Sequence, residues 1–444
     1  MAMLGIAGEA GASPDDGGGT WGGLSVRLVS ELVANQHFNR LANIPYLVSW
    51  AETTWRRGWP PTVAAKTAAL AGGSPAELFE EATKVSLDDF MSVCVHLWTQ
   101  AQLHGHVRFP QSFFDRLGLD RAAVDLFLGA ASADLVTLRS AVASERARVG
   151  SAKWAFNALR RYPIVKLASN EFLVLRIGFV IERALGVATY FDVESYLKGI
   201  DPRRADAFRA ALRSSFEADV GATLKRMFNS GTLARRVFDE AAMRSAWGRK
   251  GSAPKTCDFV VDCGKTWLMV EVTERRLPES AVNGSLVAVE LDRELDLVLT
   301  QRKSEQLDST ARLLRRGMAK LCGRAPTPGT RFVPIVITPN EGLGWNEVVH
   351  RRAIERSQEM GMLGGSGVLP LCLMSHRDLR ALEALVETDT DAGHFLAQWR
   401  EDAPGLPFDH YVIDAGKMLR HPAWEMRTFE GVIDELVARM VSAD

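Results

Sequence analysis

Two apolar runs, Phe259-Val260-Val261 and Trp267-Leu268-Met269-Val270, lie on either side of Cys263-Gly264-Lys265, and Asp258 and Glu271 close the outer ends of the pair. Short buried runs flanking a glycine turn predict a hairpin of two strands within Pro254 to Arg276. Asp258 then opens the first strand and Glu271 ends the second. A buried carboxylate is costly alone, so each needs a cation, a hydrogen-bond donor or water. A hard divalent metal held by oxygen ligands satisfies both at once.

This arrangement resembles the PD-(D/E)xK nuclease superfamily, in which an Asp on one strand and a D/E-x-K on the next bind magnesium. Asp258 matches the first acid and Glu271 the second, while Thr273 stands where the family has its lysine. The resemblance implies an α/β C-terminal domain over residues 205–444, with a restriction-endonuclease-like mixed sheet flanked by helices. It also implies Mg2+ or Mn2+ as cofactor and DNA as partner. Glu217, beside the apolar stripe of the helix preceding the hairpin, is the expected third metal ligand. Lys303-Ser304-Glu305-Gln306-Leu307 resembles the glutamine-bearing helix that follows the second acid in several branches. Lys303 and Gln306, three apart on one helix face, are therefore the expected catalytic partners of Asp258 and Glu271. Lys303 is the first candidate to replace the missing lysine, ahead of Arg275 and Lys265. Arg249, Lys250, Arg275 and Arg276 flank the hairpin and are the expected phosphate contacts. The function implied is a metal-dependent DNA endonuclease, with a role in bacterial anti-phage defence. The alternative is a catalytically inactive nuclease-like fold that binds nucleic acid or a partner protein, which Thr273 favours.

A chain of 444 residues has room for two or three domains. The expected division is a disordered tail over 1–23, an α-helical domain over 24–150, a hairpin-helix segment over 151–204 and the nuclease-like domain after it. Helices are expected over Leu24 to Leu41, Pro75 to Lys84, Leu87 to Leu103 and Arg121 to Val149, the second opened by Ser74-Pro75-Ala76-Glu77. Tyr162 to Leu167 and Glu171 to Leu175 predict a small hairpin. After the acid hairpin, strands over Phe332 to Pro339 and Val368 to Met374 alternate with helices, the order of a sheet with parallel members. His410 to Ile413 reads as a closing strand or loop. The net charge of −1 provides no global field for nucleic acid, so any such contact must come from local patches. No apolar stretch is long enough for a bilayer, and the expected location is cytoplasmic. The helical front end is a candidate surface for a homodimer or a protein partner.

Other motifs carry two readings each. Trp55-Arg56-Arg57-Gly58-Trp59-Pro60-Pro61 mixes aromatics with cations as single-strand binders do, and equally suits a helix end before a proline-stiffened loop. Cys94, His96, His104 and His106 lie close in sequence, yet Cys94 and His96 are two apart on a predicted helix and point away from each other. Gly364-Gly365-Ser366-Gly367 precedes a strand rather than a helix, so it reads as a loop. The five cysteines are read as reduced thiols.

Overall fold

The computed structural model describes residues 20–21, 24–25, 43–149, 157–228, 237–248, 254–274, 293, 296–297, 301–339 and 347–441. Its C-terminal half is built on a five-stranded sheet, which holds Val237–Asp239, Phe259–Cys263, Thr266–Val272, Arg331–Thr338 and Cys372–Ser375 side by side in chain order. The first three strands are antiparallel, and the last two run parallel to Thr266–Val272. The predicted hairpin turns at Gly264, whose φ of +83° suits a residue without a Cβ. Asp262 accepts a hydrogen bond from the Gly264 N–H at 2.9 Å and fixes that turn.

Thr266–Val272 is buried along its whole length, as a central strand covered on both faces should be. Val260, Trp267, Met269 and Val336 pack on one face against Leu307, Ala311 and Leu314 of the helix Gln301–Cys322. Phe259, Val261, Leu268 and Val270 face the other way, onto Val220 and Leu224 of the long helix Pro202–Phe228 and Leu382 of His376–Glu387. Each fully buried apolar side chain contributes about 1.5–3 kcal/mol, so this three-layer packing fixes which face every hairpin residue presents. The long helix lies so close to the hairpin that a Cβ on Gly221 would come within 2.7 Å of the Phe259 ring.

The front end is mostly helical, with Leu87–His104 at the centre of a second core. The hairpin expected between Tyr162 and Leu175 forms as Ile164–Lys166 and Glu171–Val174. It does not stand apart as a connector, because Arg108–Pro110 and Ser132–Asp134 join it in a four-stranded sheet. The long helix Pro202–Phe228 runs through both cores: Phe208 and Leu212 belong to the front one, Val220 and Leu224 to the sheet. The last helix, Ala423–Val441, returns to pack Val432 and Leu436 into the front core.

Several elements differ from the sequence reading. The single helix expected over Arg121 to Val149 is two, Arg121–Ala131 and Leu135–Val149. Ser132–Asp134 is extended between them, and Asp134 accepts from the Thr137 N–H at 2.7 Å to start the second. His410 to Ile413 lies in the helix Phe408–Asp414, not in a strand or loop. Val368 makes only an isolated bridge to Phe332, and the last strand begins at Cys372. Leu24–Ser25 pairs with Thr20–Trp21 as short strands, where a helix was expected to begin and a tail to end; the remainder of Leu24 to Leu41 lies outside the described residues. Among the described residues no helix is long and apolar enough to cross a membrane.

Candidate active site

The hairpin register brings the two acids together. Phe259 pairs with Val270, so one further step sets Asp258 opposite Glu271. Directly opposed residues on antiparallel strands project to the same face. Asp258 stays anchored just ahead of its strand, because its Oδ2 accepts from the Val272 N–H at 2.7 Å. The neighbouring entry to the strand is fixed by the helix Gln301–Cys322: Thr310 Oγ1 accepts from the Cys257 N–H at 2.9 Å, and Gln306 Nε2 donates to the Thr256 carbonyl at 3.0 Å.

Glu271 is 0 % exposed. Its Oε1 accepts from the Lys303 ammonium, which also donates to the Val272 carbonyl at 2.9 Å. Oε2 is buried with no hydrogen-bond partner among the described residues. Burial, then repulsion from Asp258, pushes the Glu271 carboxyl up to about 8, against the pull of Lys303. Burial likewise raises Asp258, although the Val272 N–H and Lys303 hold it down in part. Glu217 enters from the long helix, on the opposite side of the sheet from Lys303. Burial first, and then the Asp258 and Glu240 charges, lift it to about 6.

These three acids therefore sense one another electrostatically, with Lys303 set among them. As they stand, no group of three or more His, Cys, Asp or Glu side chains among the described residues is close enough to hold a metal. The donor set that does converge is Asp258, Glu271 with its orphaned Oε2, and the Val272 carbonyl. Hard oxygen donors of this kind fit magnesium or manganese, and Lys303 now neutralises part of their charge. Such a cluster can accept a cation, bind a phosphate beside the ammonium and exchange protons near neutral pH.

Of the residues singled out from sequence, Asp258, Glu271 and Lys303 come together, and Glu217 is coupled to them through its charge alone. Gln306 is on the same helix face as Lys303 but bonds to the Thr256 backbone, so it positions the strand rather than touching an acid. Thr273 continues the ladder, its N–H donating to the Ile337 carbonyl at 2.9 Å. Arg249, Lys250, Arg275 and Arg276, the expected phosphate contacts, lie outside the described residues. Cys94 is buried in the front core and His96 stacks on Phe113 with ring centres 5.1 Å apart.

Sequence reasoning missed the Val272 carbonyl, because backbone groups leave no residue signature. It also missed the buried polar cluster beneath Glu217. There Asp219 Oδ2 lies 2.6 Å from Arg380 Nη2 and 3.1 Å from His376 Nε2. Burial alone would raise the Asp219 carboxyl, but Arg380 and His376 hold it well below the usual range. Tyr46 of the front end completes the chain, its hydroxyl 3.0 Å from His376 Nδ1. The i, i+2 spacing of Glu217 and Asp219 gave no sign that the half-buried Asp219 would enter a polar network with Arg380 and His376 that excludes Glu217. No family model, no curated protein and no solved structure matches this chain.

Proposed function

We propose that the chain is a divalent-metal-dependent nuclease of the PD-(D/E)xK type, acting on DNA, in which the active-site lysine has moved from the strand to the following helix. The observation that carries this reading is Lys303 on Glu271, opposite Asp258, where the strand itself has only Thr273. The strand order and directions, three antiparallel and then two parallel, are those expected of a restriction-endonuclease-like sheet.

Asp258, Glu271 and the Val272 carbonyl would hold magnesium or manganese, with the charges of Glu217 and Glu240 also acting on this pair of acids. The bound ion would supply Lewis-acid polarisation of a phosphoryl oxygen and a more acidic water. Lys303 then offers a mobile positive charge to the phosphate oxygens, 22 % exposed and tethered by the Val272 carbonyl. Glu217, with its carboxyl near 6, can take a proton at neutral pH. The burial of Glu271 keeps bulk water from screening these charges, which strengthens each of them.

The test is nicking of supercoiled DNA by purified protein in Mg2+ or Mn2+. Cleavage that Asp258→Ala abolishes supports the reading, and an intact fold that cuts neither DNA nor RNA with any divalent metal overturns it. A second reading, an inactive nuclease-like module that binds nucleic acid or protein, is favoured by Thr273 and by the lack of a three-acid group among the described residues. Saturable nucleic-acid binding without cleavage would select it. The anti-phage role implied by the resemblance is tested by phage plating on cells expressing wild type or Asp258→Ala.

A further inference from the structure

Between the front end and the long helix lies a cavity of about 450 Å3. Trp50, Trp55, Trp59 and Tyr190 contribute to its walls, and Pro60 and Pro61 stiffen one rim. The segment Glu52–Arg56 on this wall is a π-helix, a rare local form that recurs at functional sites. Trp55 is 2 % exposed, and its indole N–H has no hydrogen-bond partner among the described residues. So deeply buried an indole N–H is sealed off from the cavity, and the aromatic surface a ligand would meet comes from Trp50, Trp59 and Tyr190.

The charges around the cavity select the sign of that ligand. Its acids are engaged: Glu182 pairs with Arg160 at 3.0 Å, Asp219 with Arg380, and Glu274 lies 3.9 Å from Arg213. Arg57 is held by Glu52 at 3.1 Å. Arg377 lines the cavity and makes no ion pair or hydrogen bond among the described residues. An aromatic wall and a guanidinium with no partner among the described residues together fit a flat anion. The volume is large enough for a ring system with an attached sugar.

We propose that this cavity binds a nucleotide unit, with the base against the tryptophan walls and the phosphate at Arg377. Two sources share that chemistry: a free nucleotide, or an unpaired base of a bound strand. The strand source rests on the nuclease reading, and the placement suits it. Glu274 lines the cavity only three positions beyond Glu271. An extended chain spans at most about 11 Å over that distance, roughly the rise of three stacked nucleotides. Base–aromatic stacking tolerates any base, so weak base selectivity is expected.

The test reads tryptophan fluorescence of the full chain in EDTA, using Asp258→Asn so that no strand is cut. Titrants are the four nucleoside monophosphates, adenosine, ribose 5-phosphate and a short single-stranded oligodeoxynucleotide. Saturable quenching by a monophosphate assigns a free nucleotide, whereas quenching by the oligonucleotide alone assigns a strand base. Trp50→Ala should weaken either at least tenfold. Arg377→Gln should weaken the monophosphate toward the affinity of adenosine, and ribose 5-phosphate should not quench. If Trp50→Ala misfolds by near-ultraviolet dichroism, Ser215→Phe fills the cavity while keeping its aromatic walls, and should abolish binding. No quenching by any nucleotide or oligonucleotide, or quenching untouched by both cavity variants, overturns the proposal. Since binding is read without metal or cleavage, a chain that never cuts DNA still shows whether the cavity is occupied. A chain that cuts but binds nothing there refutes the cavity alone.

Discussion

Lys303 reaches across 32 positions to place its ammonium on the carboxylate of Glu271 and 2.9 Å from the Val272 carbonyl. A strand lysine two residues beyond the acid would arrive from the same strand, so the helix Gln301–Cys322 supplies from above what Thr273 cannot supply from beside. Lys303→Met should lower cleavage by about 100- to 1000-fold, the usual cost of losing one charge-stabilising donor. Manganese binding should persist, because no oxygen ligand is removed. Restoring a lysine on the strand, as Lys303→Met with Thr273→Lys, should recover part of the rate. Wild-type cleavage by Lys303→Met would reduce Lys303 to a counter-ion.

Glu271 also makes the metal-free protein sensitive to pH. Its carboxyl rises from the ordinary range to about 8 on folding, so the folded chain holds a proton that the unfolded chain has lost. Stability from this group is full below the unfolded pKa and declines as pH climbs to about 8. The slope is at most about 1.4 kcal/mol per pH unit. Glu271→Gln should remove that slope and match or exceed wild type in chemical denaturation at pH 8.5, while losing metal binding. A wild-type slope that survives in the variant would assign it elsewhere.

Metal binding should release protons for the same reason, because carboxylate ligands bind metal only when ionised. Calorimetric titration of Mn2+ in buffers of different ionisation enthalpy should find close to one proton released at pH 7. Affinity should fall as pH drops below about 8 and again below about 6, where Glu217 takes up its proton. Affinity independent of pH from 6 to 8 would exclude Glu271 as a ligand.

The hairpin and its two acids were readable because apolar runs around a glycine turn fix both the strands and their pairing. Once Phe259 meets Val270, Asp258 must meet Glu271. The helix after the hairpin was also readable from its spacing, and Lys303 and Gln306 were correctly placed on one face. Their fates differ for a reason no single-chain pattern carries: Gln306 lies beside a backbone carbonyl that needs a donor, and Lys303 beside a carboxylate. The break at Ser132–Asp134 was hidden because Ala and Ser continue a helical pattern until a strand partner competes for them. One wall of the aromatic cavity was legible in Trp55-Arg56-Arg57-Gly58-Trp59-Pro60-Pro61, whereas Trp50, Tyr190 and Arg377 join it only in the folded chain.

Gly221 tests how tightly Glu217 depends on the helix position. A Cβ there would meet the Phe259 ring at 2.7 Å, so Gly221→Val must push the long helix off the hairpin. Overpacking of this kind costs about 1–3 kcal/mol. Glu217 is one turn away and should move with the backbone. The variant should therefore lose metal affinity or rate beyond its loss of stability, with wild-type-like dichroism. Full activity in a destabilised Gly221→Val protein would remove Glu217 from the site.

His376 predicts a pH effect of opposite sign to that of Glu271. Burial lowers its pKa, with Asp219 resisting and Arg380 adding to the shift, so it folds as a neutral ring. The neutral tautomer that satisfies both neighbours has Nε2–H facing Asp219 and Nδ1 accepting from the Tyr46 hydroxyl. Below the unfolded value, about 6.5, the unfolded chain gains a proton that the folded one refuses. Stability is therefore lost as pH falls through that range. Because Tyr46 belongs to the front end and His376 opens the helix packed on the sheet, the loss should appear first as looser docking of the two, read by hydrogen exchange around Ile44–Ala51 at pH 5.5 against pH 7.5. Tyr46→Phe leaves Nδ1 without its donor and costs about 1–3 kcal/mol at neutral pH. It should also shrink the difference between the two pH values, since a ring lacking that donor is easier to protonate. Equal protection at both pH values in wild type would mean that His376 does not govern the junction.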